Sequence, residues 1–138
     1  MKGTFYIDSN VFLYPVIYND LKESKKAREI LSQIEGKNIQ AYTSTLTWDE
    51  VSYVVESTLG KTDSIEVGKK FLNFPFLRFI PVDDEIIRRS QPIREKYNVK
   101  PGDSIHLSCA MERNLSEIIS DDTDFDGIKE IKRIPVIQ

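Results

Sequence analysis

The run from Thr4 to Val11, TFYIDSNV, places a carboxylate directly after a short apolar segment. Its residues 5–7, Phe-Tyr-Ile, favour a β-strand and show no polar alternation, which is typical of a strand covered on both faces in a parallel sheet. Asp8 would then lie at the C-terminal end of that strand, the edge where open α/β sheets bind ligands. The alternative interpretation is that Asp8 or Ser9 only caps the following helix.

Length and composition favour a globular protein. The 138 residues suffice for one domain over positions 1–138, and 40% hydrophobic with 30% charged residues is ordinary for a folded chain. The single cysteine, Cys109, excludes a disulfide framework, and no signal segment or membrane span is visible, so we expect a cytoplasmic protein. The net charge of −3 implies that any phosphate-binding surface is a local patch.

Short apolar runs alternate with helical patterns along the chain, which predicts an α/β fold with a mostly parallel sheet of about five strands. After the first strand, the predicted strands cover residues 38–44, 79–82, 117–120 and 134–137. The predicted helices cover residues 21–35, 47–59, 62–74 and 83–97, and one more opens at residues 100–103. Thr62 is the predicted cap of the third of these helices.

Helical geometry distinguishes two acids of the predicted helix 47–59. Glu50 lies four residues before Val54, at the edge of the apolar stripe, whereas Asp49 lies on the outer face. Glu50 is therefore the candidate for an inward-facing site. The alternative is a capping box, in which Thr47 caps the helix and Glu50 bonds back to the cap residue.

The next helix begins with Asp103, which shares a face with Leu107 and Ala110. Helix starts commonly carry acids, so a capping role is again the alternative. His106, one turn later, fits a hydrogen-bonded core residue or a neighbour of the site better than a catalyst, and Cys109 fits a small buried residue.

A further acidic segment, Asp121-Asp122-Thr-Asp124-Phe-Asp126-Gly, follows the predicted strand 117–120. Acids after several strands and at first helical turns would share one edge of a parallel sheet, where they repel one another unless a cation is bound. Oxygen-only ligands suit Mg²⁺ or Mn²⁺, and such a site can hydrolyse phosphodiesters. We therefore predict metal-dependent phosphodiester hydrolysis.

Two other chemistries fit parts of the sequence less completely. The segment from Asp122 to Gly127 begins like a calcium-binding loop, but the twelfth position is Arg133, where that loop needs a glutamate. A phosphatase with Asp8 as nucleophile would need a carboxylate two residues on, where the chain has Asn10.

Together the motifs resemble the PIN-domain nucleases, in particular the VapC-type toxin ribonucleases. They are Asp8-Ser-Asn-Val, Glu50, Asp103-Ser-Ile-His-Leu-Ser-Cys-Ala and Ser120-Asp-Asp122-Thr-Asp124-Phe. Their order and spacing match over nearly the whole chain. The resemblance implies a three-layer α/β/α fold and an endoribonuclease that depends on Mg²⁺ or Mn²⁺. A catalytically silent PIN-like interaction module is the alternative.

The resemblance also implies roles for particular residues. The catalytic, metal-binding quartet carries over onto Asp8, Glu50, Asp103 and Asp122, with Asp124 as an accessory metal ligand and Ser9 or Asn10 orienting the ligands. Asp122 is preferred to Asp121 because it keeps the Asp-x-Asp-Phe spacing. The implied partners are an RNA substrate, a second copy of the chain in a homodimer, and a small antitoxin that fills the active-site groove.

Overall fold

The computed structural model describes all 138 residues and contains alternating strands and helices, as predicted. The strands are β1 (Thr4–Ile7), β2 (Gln40–Ser44), β3 (Leu77–Ile80), β4 (Glu117–Ile119) and β5 (Lys132–Ile134). The helices are α1 (Ser9–Ile17), α2 (Lys22–Glu35), α3 (Thr45–Leu59), α4 (Lys61–Leu72), α5 (Asp84–Lys96) and α6 (Pro101–Glu112), and a 3-10 helix spans Thr123–Gly127. None of the helices is long and apolar enough to cross a membrane.

All five strands are parallel, and their order in the sheet is β3-β2-β1-β4-β5. The chain first builds the sheet outward from β1 through β2 to β3, and it then returns to place β4 on the other side of β1. The order therefore reverses beside β1. In open parallel sheets a crevice forms at such a reversal, beyond the carboxyl ends of the strands.

Helices cover both faces of the sheet, which gives the predicted three-layer α/β/α fold. Phe5 and Ile7 of β1 pack with buried residues of α1 to α4, whereas Tyr6 packs on the opposite face with residues of α5 and α6. Each of these three side chains is at least 95% buried, so the prediction of a strand covered on both faces is confirmed. Cys109 lies in the second layer, and burial raises the pKa of its thiol to about 12.

Two strands were predicted two residues too late in the chain, and each of them has a proline near its end. The third strand was predicted over residues 79–82 and covers Leu77–Ile80, and the fifth was predicted over 134–137 and covers Lys132–Ile134. Each observed strand stops directly before Pro81 or Pro135, because proline has no N–H to donate to a neighbouring strand.

Two predicted helix caps were also wrong. Helix α3 begins at Thr45, so Thr47 lies inside it and shares a 2.7 Å hydrogen bond with Thr43 instead of capping it. Helix α4 begins at Lys61, one residue before the predicted cap Thr62. Gly60 alone separates the two helices, and it turns the chain with φ 97° and ψ 171°.

We predict that Gly60→Ala destabilises the protein although a new methyl group would meet no atom within 4 Å. Its backbone conformation is one that residues with a β-carbon rarely adopt, and forcing one there costs about 1 to 3 kcal/mol. Urea denaturation should therefore show a lower free energy of unfolding for Gly60→Ala. Gly127→Ala is the control, because that site is equally open and has no positive φ. Equal stability of the two variants would contradict the prediction.

Candidate active site

The residue that follows β1, Asp8, lies in the crevice at the carboxyl edge of the sheet and is 5% exposed. One carboxylate oxygen, Oδ1, accepts the Ser9 N–H at 2.8 Å and so caps α1. The other oxygen, Oδ2, accepts the Ser120 hydroxyl at 2.5 Å from the end of β4. Asp8 is thus both a cap and a residue fixed between the ends of the neighbouring strands β1 and β4.

Asn10 contributes an amide to the same place. Its Nδ2 lies 3.4 Å from Asp8 Oδ2 and 3.3 Å from Ser120 Oγ. Because a carboxylate only accepts hydrogen bonds, this contact also fixes which way the amide is turned. The remaining oxygen, Oδ1, is buried and has no hydrogen-bond partner in the protein. Buried acceptors are rarely left unpaired, so this oxygen is available to a ligand or its water.

Glu50 of α3 reaches the crevice as predicted, and its partner there is His106. The Glu50 Oε1 atom lies 2.7 Å from His106 Nε2, and Asp8 Oδ1 lies 3.7 Å from the same nitrogen. His106 Nδ1 lies 2.6 Å from the Tyr6 hydroxyl. The capping-box interpretation of Glu50 is therefore wrong, whereas the prediction of a buried, hydrogen-bonded His106 is confirmed. Asp8, Glu50 and His106 form one group, which we call the glutamate group.

The pKa of His106 reflects two opposing effects. Burial by itself would lower the pKa of the imidazole, but the hydrogen bond to Glu50 and the negative charges of Asp8, Glu50 and Asp103 outweigh it, so the pKa is raised. Burial also raises the pKa of the Tyr6 hydroxyl well above its ordinary value. The tyrosine therefore keeps its proton at any physiological pH.

A second group, which we call the aspartate group, consists of Asp103, Asp122 and Asp124. Their carboxylates each offer an oxygen within 4.8 Å of the others, and Asp103 is only 9% exposed. Asp103 also accepts the Lys100 N–H at 3.3 Å, so the predicted capping role is present too. Burial and the charge of Asp122, only partly offset by the Lys100 N–H, raise the pKa of Asp103 to about 6.

The two groups adjoin at one edge of the sheet and contain every predicted metal ligand. The charge of Asp8 contributes to the raised pKa of Asp103, which shows that the groups interact electrostatically. Two hydroxyls were missed from the sequence, those of Tyr6 and Ser120. Ser120 directly precedes the acidic segment, a position that could have signalled its role, whereas a tyrosine inside an apolar strand gives no such signal.

Three acids close in sequence to these residues lie outside both groups. Asp121 accepts the Tyr14 hydroxyl at 2.6 Å and the Val136 N–H at 2.8 Å, so it anchors the loop outside both groups. Asp49 is exposed on the outer face of α3. Asp126 forms a two-point ion pair with Arg133. A cationic side chain therefore occupies the place where a calcium loop would need another carboxylate.

The parallel α/β/α fold with acids at its carboxyl edge is that of a PIN domain. The PIN domain family model matches residues 5–131, and this chain belongs to that family. The predicted resemblance is confirmed.

The individual proteins that resemble this chain include a ribonuclease and toxins. Ribonuclease VapC2 of Methanocaldococcus jannaschii is 22% identical over an alignment 147 residues long, which covers 98% of this chain and 95% of that protein. Among solved structures, the Sarcin-Ricin loop cleaving toxin VapC20 of Mycobacterium tuberculosis has a TM-score of 0.76 at 10% identity, over 92% of this chain and 96% of the toxin. A toxin-antitoxin complex from Klebsiella pneumoniae contains a chain with a TM-score of 0.64 at 23% identity, over 93% of this chain and 95% of that one.

The raised pKa of Asp103 predicts how pH affects the metal-free protein. A carboxyl whose pKa rises from 3.8 to about 6 on folding stabilises the fold fully below pH 3.8, and this contribution is lost as the pH rises through about 6. Asp103→Asn removes the charge but keeps an oxygen for the Lys100 N–H. In EDTA at pH 7.5, it should raise the free energy of unfolding by about 1 kcal/mol after solvent screening.

Urea denaturation at pH 4 and pH 7.5 distinguishes this effect from a loss of capping. Near pH 4 the stability difference between the variant and the wild type should be much smaller, because Asp103 is then neutral in the folded state and partly neutral in the unfolded state. A variant that is less stable at both pH values would show that Asp103 acts mainly as a helix cap.

Proposed function

We propose that this protein is a Mg²⁺- or Mn²⁺-dependent endoribonuclease that acts in the cytoplasm as the toxin of a toxin-antitoxin pair. The observation that carries the proposal is that five carboxylates lie together at one edge of the sheet. They come from the residue after β1, from α3 and α6, and from the segment after β4. The similarity to Ribonuclease VapC2 supports RNA as the substrate.

The donor set fits a hard divalent cation. The aspartate group offers only oxygen atoms, and the glutamate group offers further carboxylate oxygens within 4.8 Å of one another. Burial and repulsion by Asp122 raise the pKa of Asp103, and a bound cation relieves that repulsion. We propose that the residues that hold the ion are Asp8, Glu50, Asp103, Asp122 and Asp124.

When bound, the cation supplies positive charge that lowers the pKa of a water molecule and stabilises the charge that develops on the phosphate. The chain's own residues orient the ligands. Ser9 and Ser120 hold the two oxygens of Asp8 from opposite sides, and the Asn10 amide keeps both Asp8 and Ser120 in place. The Asp124 N–H donates to Asp122 Oδ1 at 2.9 Å, which fixes Asp122 towards Asp103.

Cleavage of a structured RNA should require Mg²⁺ or Mn²⁺ and stop in EDTA. Glu50→Gln should abolish most of this activity, because glutamine still accepts a hydrogen bond from His106 but lacks the ligand charge. Asp49→Asn makes the same chemical change on the exposed face of the same helix, so it should leave the cleavage rate unchanged. Gel-based cleavage assays of the three proteins measure both expectations.

Three outcomes would count against the proposal. Undiminished cleavage in EDTA would exclude the metal mechanism, and full activity of Glu50→Gln would remove Glu50 from the site. No cleavage with either metal, by a protein that binds RNA, would favour a catalytically silent interaction module.

An apolar groove between α1, α2 and α4 suits the proposed antitoxin. It is lined by seven hydrophobic side chains, among them Phe12, Val16, Leu31 and Phe74, with Lys70 at its rim. A groove of this kind accepts the apolar face of an amphipathic helix. The toxin-antitoxin complex from Klebsiella pneumoniae, which shares the fold, supports a small protein partner.

A separate apolar surface suits a homodimer. Trp48 of α3 and Ile65 and Leu72 of α4 line one shallow depression and are 43%, 62% and 53% exposed. Large apolar side chains that are exposed side by side commonly mark interfaces. We therefore propose that two copies of the chain associate through α3 and α4.

The variant Ile65→Asp should convert the dimer to a monomer, because it would place a charge in the centre of the apolar surface. Light scattering coupled to gel filtration gives the mass directly. Ile87→Asp is the control, because Ile87 is 47% exposed on α5, in the layer on the other face of the sheet. An unchanged dimer for Ile65→Asp would exclude this surface as the interface.

A further inference from the structure

A buried hydrogen-bonded chain runs beneath the acidic edge from the central strand to α3. The Tyr6 hydroxyl lies 2.6 Å from His106 Nδ1, and His106 Nε2 lies 2.7 Å from Glu50 Oε1. Tyr6 is completely buried and His106 is 1% exposed, whereas Glu50 is only half-buried. These hydrogen bonds thus connect the core to a partly exposed carboxylate at the site.

The direction of the hydrogen bonds follows from the partners. Because the Glu50 carboxylate only accepts, His106 Nε2 must carry a proton. In a neutral ring Nδ1 is then an acceptor and the Tyr6 hydroxyl donates to it, while in a charged ring Nδ1 donates to the tyrosine oxygen. Nε2–H donates to Glu50 in both protonation states, so the contact does not depend on which state is present.

The imidazole is fixed in angle as well as in position. Tyr6 and His106 meet edge to face, with ring centroids 5.5 Å apart and an angle of 66° between the ring planes. The alternation of β1 turns Tyr6 towards the layer of α5 and α6, which is where His106 lies. A rigid donor therefore holds one oxygen of Glu50, whose other oxygen, Oε2, forms no hydrogen bond with the protein and faces Gly102.

His106 has the position of a metal ligand but not a free nitrogen. Its nearest ring atom lies within 4.8 Å of carboxylate oxygens of Asp8 and Glu50, the spacing of a ligand set. Both nitrogens, however, are already hydrogen-bonded, and Nε2 points its proton at Glu50. Binding a cation through Nε2 would require the loss of that bond.

We propose that Tyr6 and His106 are positioning residues, which hold the Glu50 carboxylate so that its second oxygen is presented to the cation. The inference rests on the proposed function, because it takes Glu50 to be a ligand. Partners that orient a ligating side chain typically change metal affinity by about 10-fold to 100-fold when they are removed.

Calorimetric titration with Mn²⁺ tests the proposal without reference to cleavage. His106→Leu should weaken Mn²⁺ binding by about tenfold or more. His106→Gln, which keeps an N–H near the position of Nε2, should recover much of the affinity. Tyr6→Phe should weaken binding by a smaller factor, since the ring remains but Nδ1 loses its partner.

Tyr97→Phe is the matched control for Tyr6→Phe. Its hydroxyl also bonds a carboxylate, that of Glu130 at 2.7 Å, but outside both acidic groups. It should bind Mn²⁺ like the wild type. Thermal unfolding in EDTA shows whether each variant is folded, and if His106→Leu does not fold, the nearly isosteric Tyr6→Phe still gives the answer.

A second readout uses the fact that the chain has a single histidine. In ¹⁵N-histidine-labelled protein, NMR reports the protonation of each ring nitrogen with and without Mg²⁺. We expect Nε2 to remain protonated in both samples. Loss of the Nε2 proton on adding Mg²⁺ would make His106 a ligand and would overturn the positioning role.

The possible failures can be told apart. If the wild type does not bind Mn²⁺, or if Glu50→Gln binds it equally well, the proposed metal site or its Glu50 ligand is wrong. If the wild type binds Mn²⁺ and Glu50→Gln does not, but His106→Leu and Tyr6→Phe bind like the wild type, only the positioning role is wrong.

Discussion

The site depends on a short strand that is buried on both faces and hydrogen-bonded along both edges. β1 lies between β2 and β4, with Phe5 and Ile7 in one core layer and Tyr6 in the other. A shift of one residue would move each side chain into the wrong layer, so the register is strongly determined. Because Asp8 directly follows the strand, its position in the fold is determined equally well. Asp8 is therefore held in place by hydrophobic packing that does not involve its own side chain.

Neutral donors hold three of the carboxylates without cancelling their charge. Asp8, Asp103 and Asp122 each accept a backbone N–H, and Asp8 also accepts the Ser120 hydroxyl. No lysine or arginine forms an ion pair with any of the five acids. Arg133, which follows the acidic segment, is paired with Asp126 instead. The fold thus fixes the positions of these groups while leaving their repulsion in place, which is a suitable arrangement for a cation.

The parts of this arrangement that follow local rules could be predicted from the sequence. Strand patterns placed Asp8 and Asp122 at the carboxyl edge, and helical spacing separated Glu50 from Asp49. Local rules failed where a long-range contact decided the outcome. The pattern Thr47 to Glu50 satisfies a capping box, yet Glu50 bonds to His106, which is 56 residues away in sequence. The contact of His106 with Tyr6 spans 100 residues and leaves no local pattern. The two misplaced strands had a simpler cause, because Pro81 and Pro135 were included although neither has an N–H for the sheet.

The reversal of strand order beside β1 has a consequence for the time at which the site can exist. Asp8 leaves the ribosome 112 residues before its partner Ser120, and the acids Asp122 and Asp124 follow Ser120. Until β4 has been synthesised and has paired with β1, a nascent chain has only the Asp8, Glu50 and Asp103 side of the crevice. Whatever reaction the completed edge performs, a nascent chain cannot perform it before β4 and the residues that follow β4 have emerged from the ribosome.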